Sequence, residues 1–336
     1  MDPDSVDSVD RVPHGGHAAA SQIEFSANVN PAVPEGARDV YRAAVDALGA
    51  YPPEPPADFV AAAAEYVAVD PETVVPTPGG LAAIRLAIET TVDRGDSVLV
   101  PTPSFGEYAR EVRLQGGTAT TVPESEILAA DPTDHALAIV CNPNNPTGRV
   151  YDRDRLLAFV RRSRDGGTPV LIDEAFLGFT DRESLAGTDG VIVARSLTKL
   201  FGMPGLRAGF AVATGRQRDR LQRARRAWNL GTPALQVGAY CMRQTAFVDA
   251  TRERIERERN KMTAALEERY EVTPSAAPFL LLEVTEEPVD AVIERCDRRG
   301  LAIRDARTFD TLDSHVRVAI RRPEENRQLE EALLDV

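Results

Sequence analysis

Between Tyr51 and Ala213 the chain alternates helix-length stretches with short, uninterrupted apolar runs. Leu81–Thr91 and Gly106–Leu114 read as helices, and they precede the strand-like runs Ser97–Pro101 (SVLVP) and Thr118–Val122 (TATTV). Four further runs, Ala136–Val140, Pro169–Asp173, Gly190–Ala194 and Gly209–Ala213, are rich in Val, Ile and Ala and lack polar alternation. That pattern marks strands buried on both faces, so it predicts an α/β fold with a mostly parallel central sheet covered by helices. Such sheets bind ligands beyond the C-terminal ends of their strands. The residues that follow the runs are therefore the informative ones: Pro103-Ser104-Phe105, Asn142-Pro143-Asn144-Asn145, Asp173-Glu174 and Ser196-Leu197-Thr198-Lys199.

After Arg216 the pattern changes. Arg/Glu-rich helical stretches run to Tyr270, and the apolar run Phe279–Val284 opens a βαββα-like tail. Within it a helix is expected near Val289–Arg299, strands at Leu301–Arg304 and Val316–Ile320, and a last helix from Pro323. The expected division is an N-terminal arm with part of a small domain (1–50), a large ligand-binding domain (51–240), and a connecting helix with a smaller α+β domain (241–336). The first dozen residues, acidic and without an apolar segment, are expected to be a mobile tail and not a secretory signal.

The formal net charge is -13, and the acidic residues are spread along the chain. This favours a solvating acidic surface, as a high-salt (halophilic) cytoplasm would select, and argues against nucleic acid as a partner because no basic stripe stands out. Cys141, Cys241 and Cys296 form no CxxC or Cys/His cluster, so reduced thiols and no metal site are expected. No apolar run reaches the roughly 18–20 residues of a membrane helix. Together these point to a cytoplasmic protein with a small-molecule substrate.

Charge usage also isolates one residue. Among 39 Lys plus Arg residues the lysines are Lys199 and Lys261. A neutral amine can form an imine with an aldehyde, which a guanidinium cannot do. Lys199 is therefore a candidate nucleophile, although any lysine by itself is most simply a surface charge. Asp173 ends a buried apolar run, where an unpaired carboxylate would be costly. It is either a structural cap or the partner of a cationic ring nitrogen. Ser196 and Arg207 offer donors to an anion, as do the backbone N–H groups where Thr77-Pro78-Gly79-Gly80-Leu81 enters a helix. Phe105 is equally a ring-stacking or a core residue.

The SLTK stretch ending at Lys199, Arg207 after seven further residues, the DEAF that begins at Asp173 and CNPNNPTG at Cys141–Gly148 together resemble fold-type I enzymes of the aminotransferase class I/II group. The resemblance implies pyridoxal 5'-phosphate as cofactor, Lys199 as the imine-forming lysine, Asp173 as partner of the pyridinium and Asn145 beside the ring hydroxyl. It implies that Ser196, Arg207, Gly79, Gly80 and Leu81 hold the cofactor phosphate, with Phe105 on the ring. Tyr51 would reach the phosphate of a partner subunit, which implies a homodimer with shared active sites.

Within this group, HGG at His14–Gly16, FSANVNP at Phe25–Pro31, PSFGEYAR at Pro103–Arg110 and LDSHVRVAIR at Leu312–Arg321 resemble the threonine-phosphate decarboxylase branch of cobalamin biosynthesis. Phe176 stands where the related histidinol-phosphate aminotransferases usually carry a tyrosine. The resemblance covers about His14 to Glu331. It implies decarboxylation of a phosphorylated amino acid, with Arg304, Arg317, His14, Asn28 and, more weakly, Arg321 at the substrate. Histidinol-phosphate or related transamination is the alternative. The loop TPGGLAA departs from the family's usual GNGxxE, so backbone donors would have to serve there.

Overall fold

The computed structural model describes residues 1–16 and 18–335. Its centre is a seven-stranded sheet built from β1 (Val74–Thr77), β2 (Ser97–Thr102), β3 (Thr118–Pro123), β4 (Leu137–Cys141), β5 (Val170–Asp173), β6 (Val191–Ser196) and β7 (Gly209–Ala213). In space the order is β1-β7-β6-β5-β4-β2-β3; β7 runs antiparallel to both neighbours and every other pairing is parallel.

Successive residues of the inner strands serve two different cores, which is why their sequences show no polar alternation. Val98, Val100, Ile139, Leu171 and Ile192 pack with Ile84, Ala87 and Ile88 of the helix Gly80–Thr91. Leu99, Val140, Ile172 and Val193 face the other way, onto Phe59, Phe159 and Val160. The Thr-rich β3 is partly exposed because it is an edge strand. β1 has no counterpart in the sequence reading. Its VVPT contains Pro76, which cannot donate to a ladder, and the strand sits at the opposite edge, where a proline is tolerated.

A second sheet follows, of order β10-β11-β9-β8, with β8 at Glu271–Val272, β9 at Phe279–Glu283, β10 at Arg304–Asp305 and β11 at His315–Ala319, all antiparallel. The N-terminal region joins this unit: Ile23–Glu24 pairs in parallel with Leu301–Ala302, and Ala319 N–H donates to the Phe25 carbonyl at 3.0 Å. The expected strand Leu301–Arg304 is thus split, its first half pairing with the N-terminal segment and its end with β11. The expected helical region before Tyr270 is three helices, Gly215–Ala224, Thr232–Met242 and the 22-residue Thr245–Leu266. The first break holds Trp228 at φ 51°, and Pro233 starts the next helix.

The first dozen residues are laid on the large sheet's helices, contrary to the expected loose tail. Asp2 N–H donates to the Leu114 carbonyl at 2.8 Å, Arg110 Nε donates to the Asp10 carbonyl at 3.0 Å, and Arg94 pairs with Asp2 and Asp4. Val12 packs so closely on Gly106 that a Cβ there would lie 2.9 Å from its methyl. This strap crosses the C-terminal edge of the sheet, where the site lies.

Candidate active site

A cavity of about 590 Å³ opens beyond the C-terminal ends of β4, β5 and β6. Strand ends supply Asp173 and Ser196, the following loops Asn145, Phe176 and Lys199, and the second sheet Arg304 and Arg317. The strap and the segment after it contribute His14 and Asn28. Of the expected site residues, Gly80, Leu81, Phe105 and Arg207 also line this cavity.

Asp173 is buried, and its oxygens are divided between two donors. Tyr108 Oη donates to Oδ2 at 2.6 Å and the Ala175 N–H donates to Oδ1 at 2.9 Å. Burial pushes its pKa up, while the Tyr108 and Ala175 hydrogen bonds pull it down. Strand register sets Cys141 directly beside it, and burial raises that thiol's pKa so that it stays neutral. For Asp173 the net direction is upward, so the ionised carboxylate would gain from a cationic partner on its cavity side.

Lys199 is partly buried, and its pKa is pulled from 10.5 down to about 8, first by desolvation and then by the neighbouring Arg317 and Arg207 cations; Asp173 partly offsets this. At neutral pH roughly a tenth of such amines are unprotonated, against well under a thousandth at the ordinary value. This is the state in which an amine attacks a carbonyl carbon.

An anion cradle lies on the far side of the lysine. The helix Gly80–Thr91 begins after Gly79 at φ 94°, ψ 167°, with no side chain capping its first turn, so its N–H groups remain free for an anion. Thr77 Oγ1 instead donates back to the Gly79 carbonyl at 3.0 Å, which braces the turn. Close packing fixes the surroundings: a Cβ on Gly79 would lie 2.8 Å from Arg207 Nη2, and one on Gly80 3.0 Å from the Ser196 Cβ. Arg207 sits in the left-handed region at φ 52°, and its guanidinium donates to the Pro204 carbonyl at 3.2 Å. A pyridine ring bearing a phosphate fits this donor set: free N–H groups, a hydroxyl and a guanidinium at one end, a carboxylate at the other, and an amine between. The missing GNGxxE side chains do not remove the cradle, because its donors are main-chain groups.

The third group of residues carries positive charge. Arg304 and Arg317 are register partners on β10 and β11, both are buried, and neither pairs with an acid among the described residues. Arg317 donates to Asn145 Oδ1 and, at 2.9 Å, to the Ser26 carbonyl, and it lies over the Phe279 and Phe309 rings. Its Nε lacks a partner, and burial together with the Arg304 cation lowers its pKa to about 9. Arg304 donates at 2.7 Å to the Pro13 carbonyl and to Thr308 Oγ1. Asn28 Oδ1 is buried without a partner, and His14 Nε2 lies 2.8 Å from Glu107 Oε1. Buried cations and an unsatisfied amide oxygen belong together where an anionic, donor-bearing ligand binds.

Two expected residues lie elsewhere. Arg321 is not at the cavity: it pairs with Glu325 at 3.1 Å, donates to the Glu24 carbonyl and covers the Phe25 ring. Tyr51 is 81% exposed and rests on Trp228 with ring centroids 4.9 Å apart, outside this chain's own cavity. Phe176 contacts the Phe279 ring edge-on at 5.1 Å and presents no hydroxyl to the cavity. Tyr108 was absent from the sequence reading; its only sequence signal is its place in PSFGEYAR.

The chain is similar to known proteins along most of its length. Residues 20–333 match the family model described as aminotransferase class I and II. Histidinol-phosphate aminotransferase 2 of Archaeoglobus fulgidus is 29% identical over 94% of this chain and 93% of its own. A protein of Caldanaerobacter subterraneus subsp. tengcongensis, provisionally named threonine-phosphate decarboxylase, is 32% identical over 81% of this chain and 79% of its own. Among solved structures, the L-threonine-O-3-phosphate decarboxylase of Porphyromonas gingivalis superposes with TM-score 0.85 at 25% identity, covering 93% of this chain and 98% of that one. The histidinol-phosphate aminotransferase of Sinorhizobium meliloti, solved with pyridoxal-5'-phosphate, shares the fold with TM-score 0.86 at 18% identity, covering 100% and 97%. The fold is therefore that of the fold-type I pyridoxal phosphate enzymes, the cofactor is pyridoxal phosphate, and the chain belongs to the aminotransferase class I and II family.

Proposed function

We propose that this chain decarboxylates L-threonine O-3-phosphate to (R)-1-amino-2-propanol O-2-phosphate, the reaction of the threonine-phosphate decarboxylases in cobalamin biosynthesis. The observation that carries this reading is the pair of buried guanidiniums, Arg304 and Arg317, with no acid to neutralise them among the described residues. A substrate bearing both a carboxylate and a phosphate supplies the missing charge. Pyridoxal phosphate, when bound, provides an electron sink for whichever Cα bond stands perpendicular to its ring. The residues decide which bond that is. Arg304 and Arg317, with Asn28 and His14, anchor the two anionic groups and so turn Cα. Asp173 holds the ring nitrogen's proton, and Ser196, Arg207 and the Gly80 and Leu81 N–H groups fix the phosphate end; Gly79, whose own N–H donates to the Thr77 carbonyl at 2.8 Å, shapes the turn and is not a donor. Asn145, whose Oδ1 accepts from Arg317, would offer its amide N–H to the ring hydroxyl. Lys199 Nζ would supply the proton that replaces the lost carboxylate on Cα.

In this reading the active unit is a homodimer. Tyr51 is exposed beside other uncovered apolar side chains, Tyr41, Val45, Leu48 and Trp228. A second copy covering them would let Tyr51 reach the cofactor phosphate across the interface. Tyr41, Val45, Leu48 and Tyr51 fall in or just after the N-terminal arm (1–50) of the proposed three-part division, and the large domain (51–240) holds the cofactor.

The second reading is a histidinol-phosphate or related aminotransferase, supported by the long match to the Archaeoglobus protein. One assay separates the two: the purified enzyme is given threonine phosphate or histidinol phosphate, and carbon dioxide is measured against oxo-product formation. Gas evolution from threonine phosphate supports the decarboxylase. Stoichiometric oxo product, with conversion of the cofactor to its amine form and no gas, would overturn it.

A further inference from the structure

We propose that Tyr108 is a positioning residue whose hydroxyl keeps Asp173 ionised and aimed, so that cofactor affinity depends on a side chain that does not line the cavity. The geometry is specific. Tyr108 is fully buried on the helix Glu107–Leu114, its Oη lies 2.6 Å from Asp173 Oδ2, and the Phe105 ring meets it edge-on at 5.6 Å and 85°. A phenylalanine would fill the same apolar space, so packing does not require the hydroxyl. Its proton goes to Asp173, with the neutral Cys141 thiol as its other polar neighbour, and the Ala175 N–H is the carboxylate's other donor.

Hydrogen bonds to a carboxylate favour its charged form, and burial opposes it. The charged or titratable groups facing Asp173 are Tyr108 from its helix, Cys141 from β4, Glu174 on its own loop, Arg195 from β6 and Lys199. Arg195 is held by Glu174 at 3.0 Å, and burial keeps the Cys141 thiol neutral. Before the ring binds, the Tyr108 hydroxyl is therefore the main side-chain support of the anion. The same helix also holds His14 through Glu107, so adjacent residues brace the cofactor side and the strap side of the cavity.

This inference rests on Asp173 facing the ring nitrogen, and the experiment separates the two. Pyridoxal phosphate affinity is measured from pH 6 to 9 by equilibrium dialysis for the wild type, Tyr108→Phe, Asp173→Asn and the double variant. Expected is a loss of about tenfold or more for Tyr108→Phe near pH 6, narrowing as pH rises and Asp173 ionises unaided. In the Asp173→Asn background, removing the hydroxyl should change affinity less than about twofold. A wild-type affinity for Tyr108→Phe, a loss independent of pH, or an equal loss in the Asp173→Asn background would overturn the proposal. If Asp173→Asn itself binds like the wild type, the assignment of Asp173 fails instead. Should Tyr108→Phe not fold, 3-fluorotyrosine at 108 is the second test. Its more acidic hydroxyl should move the acid-side loss of affinity to lower pH, and an unchanged profile would sink the idea.

Discussion

Lys199→Met should make the cofactor-free protein more stable, by an amount that fades as pH rises. The reasoning starts from the depressed pKa, about 8 in the fold against 10.5 for an ordinary lysine. Below pH 8 the amine is protonated in both the folded and the unfolded chain, and the folded state carries the full cost of holding a cation beside Arg317 and Arg207. Between pH 8 and 10.5 the unfolded chain binds more protons than the folded one, so wild-type stability rises with pH and the penalty is lost. A shift of this size corresponds to a ceiling of about 3 kcal/mol. Lys199 is only partly buried and faces a cavity that water enters, so roughly 1–2 kcal/mol is the working expectation. Methionine keeps most of the side chain's volume and adds no cavity. Urea denaturation of cofactor-free wild type and Lys199→Met at pH 7 and again near pH 10 reads the difference directly. If the variant is less stable at pH 7, or the difference is the same at both pH values, then the lysine is not held at a cost and the electrostatic account of its nucleophilicity is wrong.

Lys199→Arg should lose turnover as completely as Lys199→Ala, because charge is kept and imine formation is not; substantial activity in a steady-state assay would refute the assignment. Arg317→Met should weaken substrate binding by about a hundredfold or more, the order expected when a buried charged partner is removed. Its stability should stay within about 1–2 kcal/mol of wild type, since relief of a buried unpaired cation offsets the two acceptors left behind; calorimetry with isothermal titration checks both halves. Gly79→Ala should cost about 1–2 kcal/mol, because φ 94° disfavours a side chain and a Cβ meets Arg207 at 2.8 Å. It should also weaken cofactor binding, measured by dialysis. In the proposed homodimer, Leu48→Glu, placing a charge at the 58% exposed Leu48, should shift sedimentation from dimer to monomer and lower cofactor affinity; a wild type that sediments as a monomer, or a variant that stays dimeric, would refute that interface.

How far the sequence could be read depends on whether a feature is written in one segment or made by two. The inner strands were legible because each carries its own evidence: every residue of β4, β5 and β7 is buried, and burial on both faces leaves a continuous apolar run. That Lys199, Asp173, Asn145 and Arg207 meet at one cavity was legible for the same reason, as each follows such a run or belongs to a motif with fixed spacing. Arg321 shows the limit of pattern. Strand alternation places positions 317 and 321 on one face, but β11 ends at Ala319, and the chain turns so that Arg321 meets Glu325 of the next helix. The strap was misread because main-chain groups at Asp2 and Asp10 do much of its anchoring, and main-chain hydrogen bonds leave no mark on residue type. Tyr108 is the sharper case. As a buried aromatic at a helical position it looks like any core residue, and its meaning depends on a hydroxyl meeting a carboxylate 65 positions away. The residues proposed to do the chemistry are thus visible one at a time, whereas those proposed to set their charge and aim become visible only once the sheet has brought distant segments to the same edge.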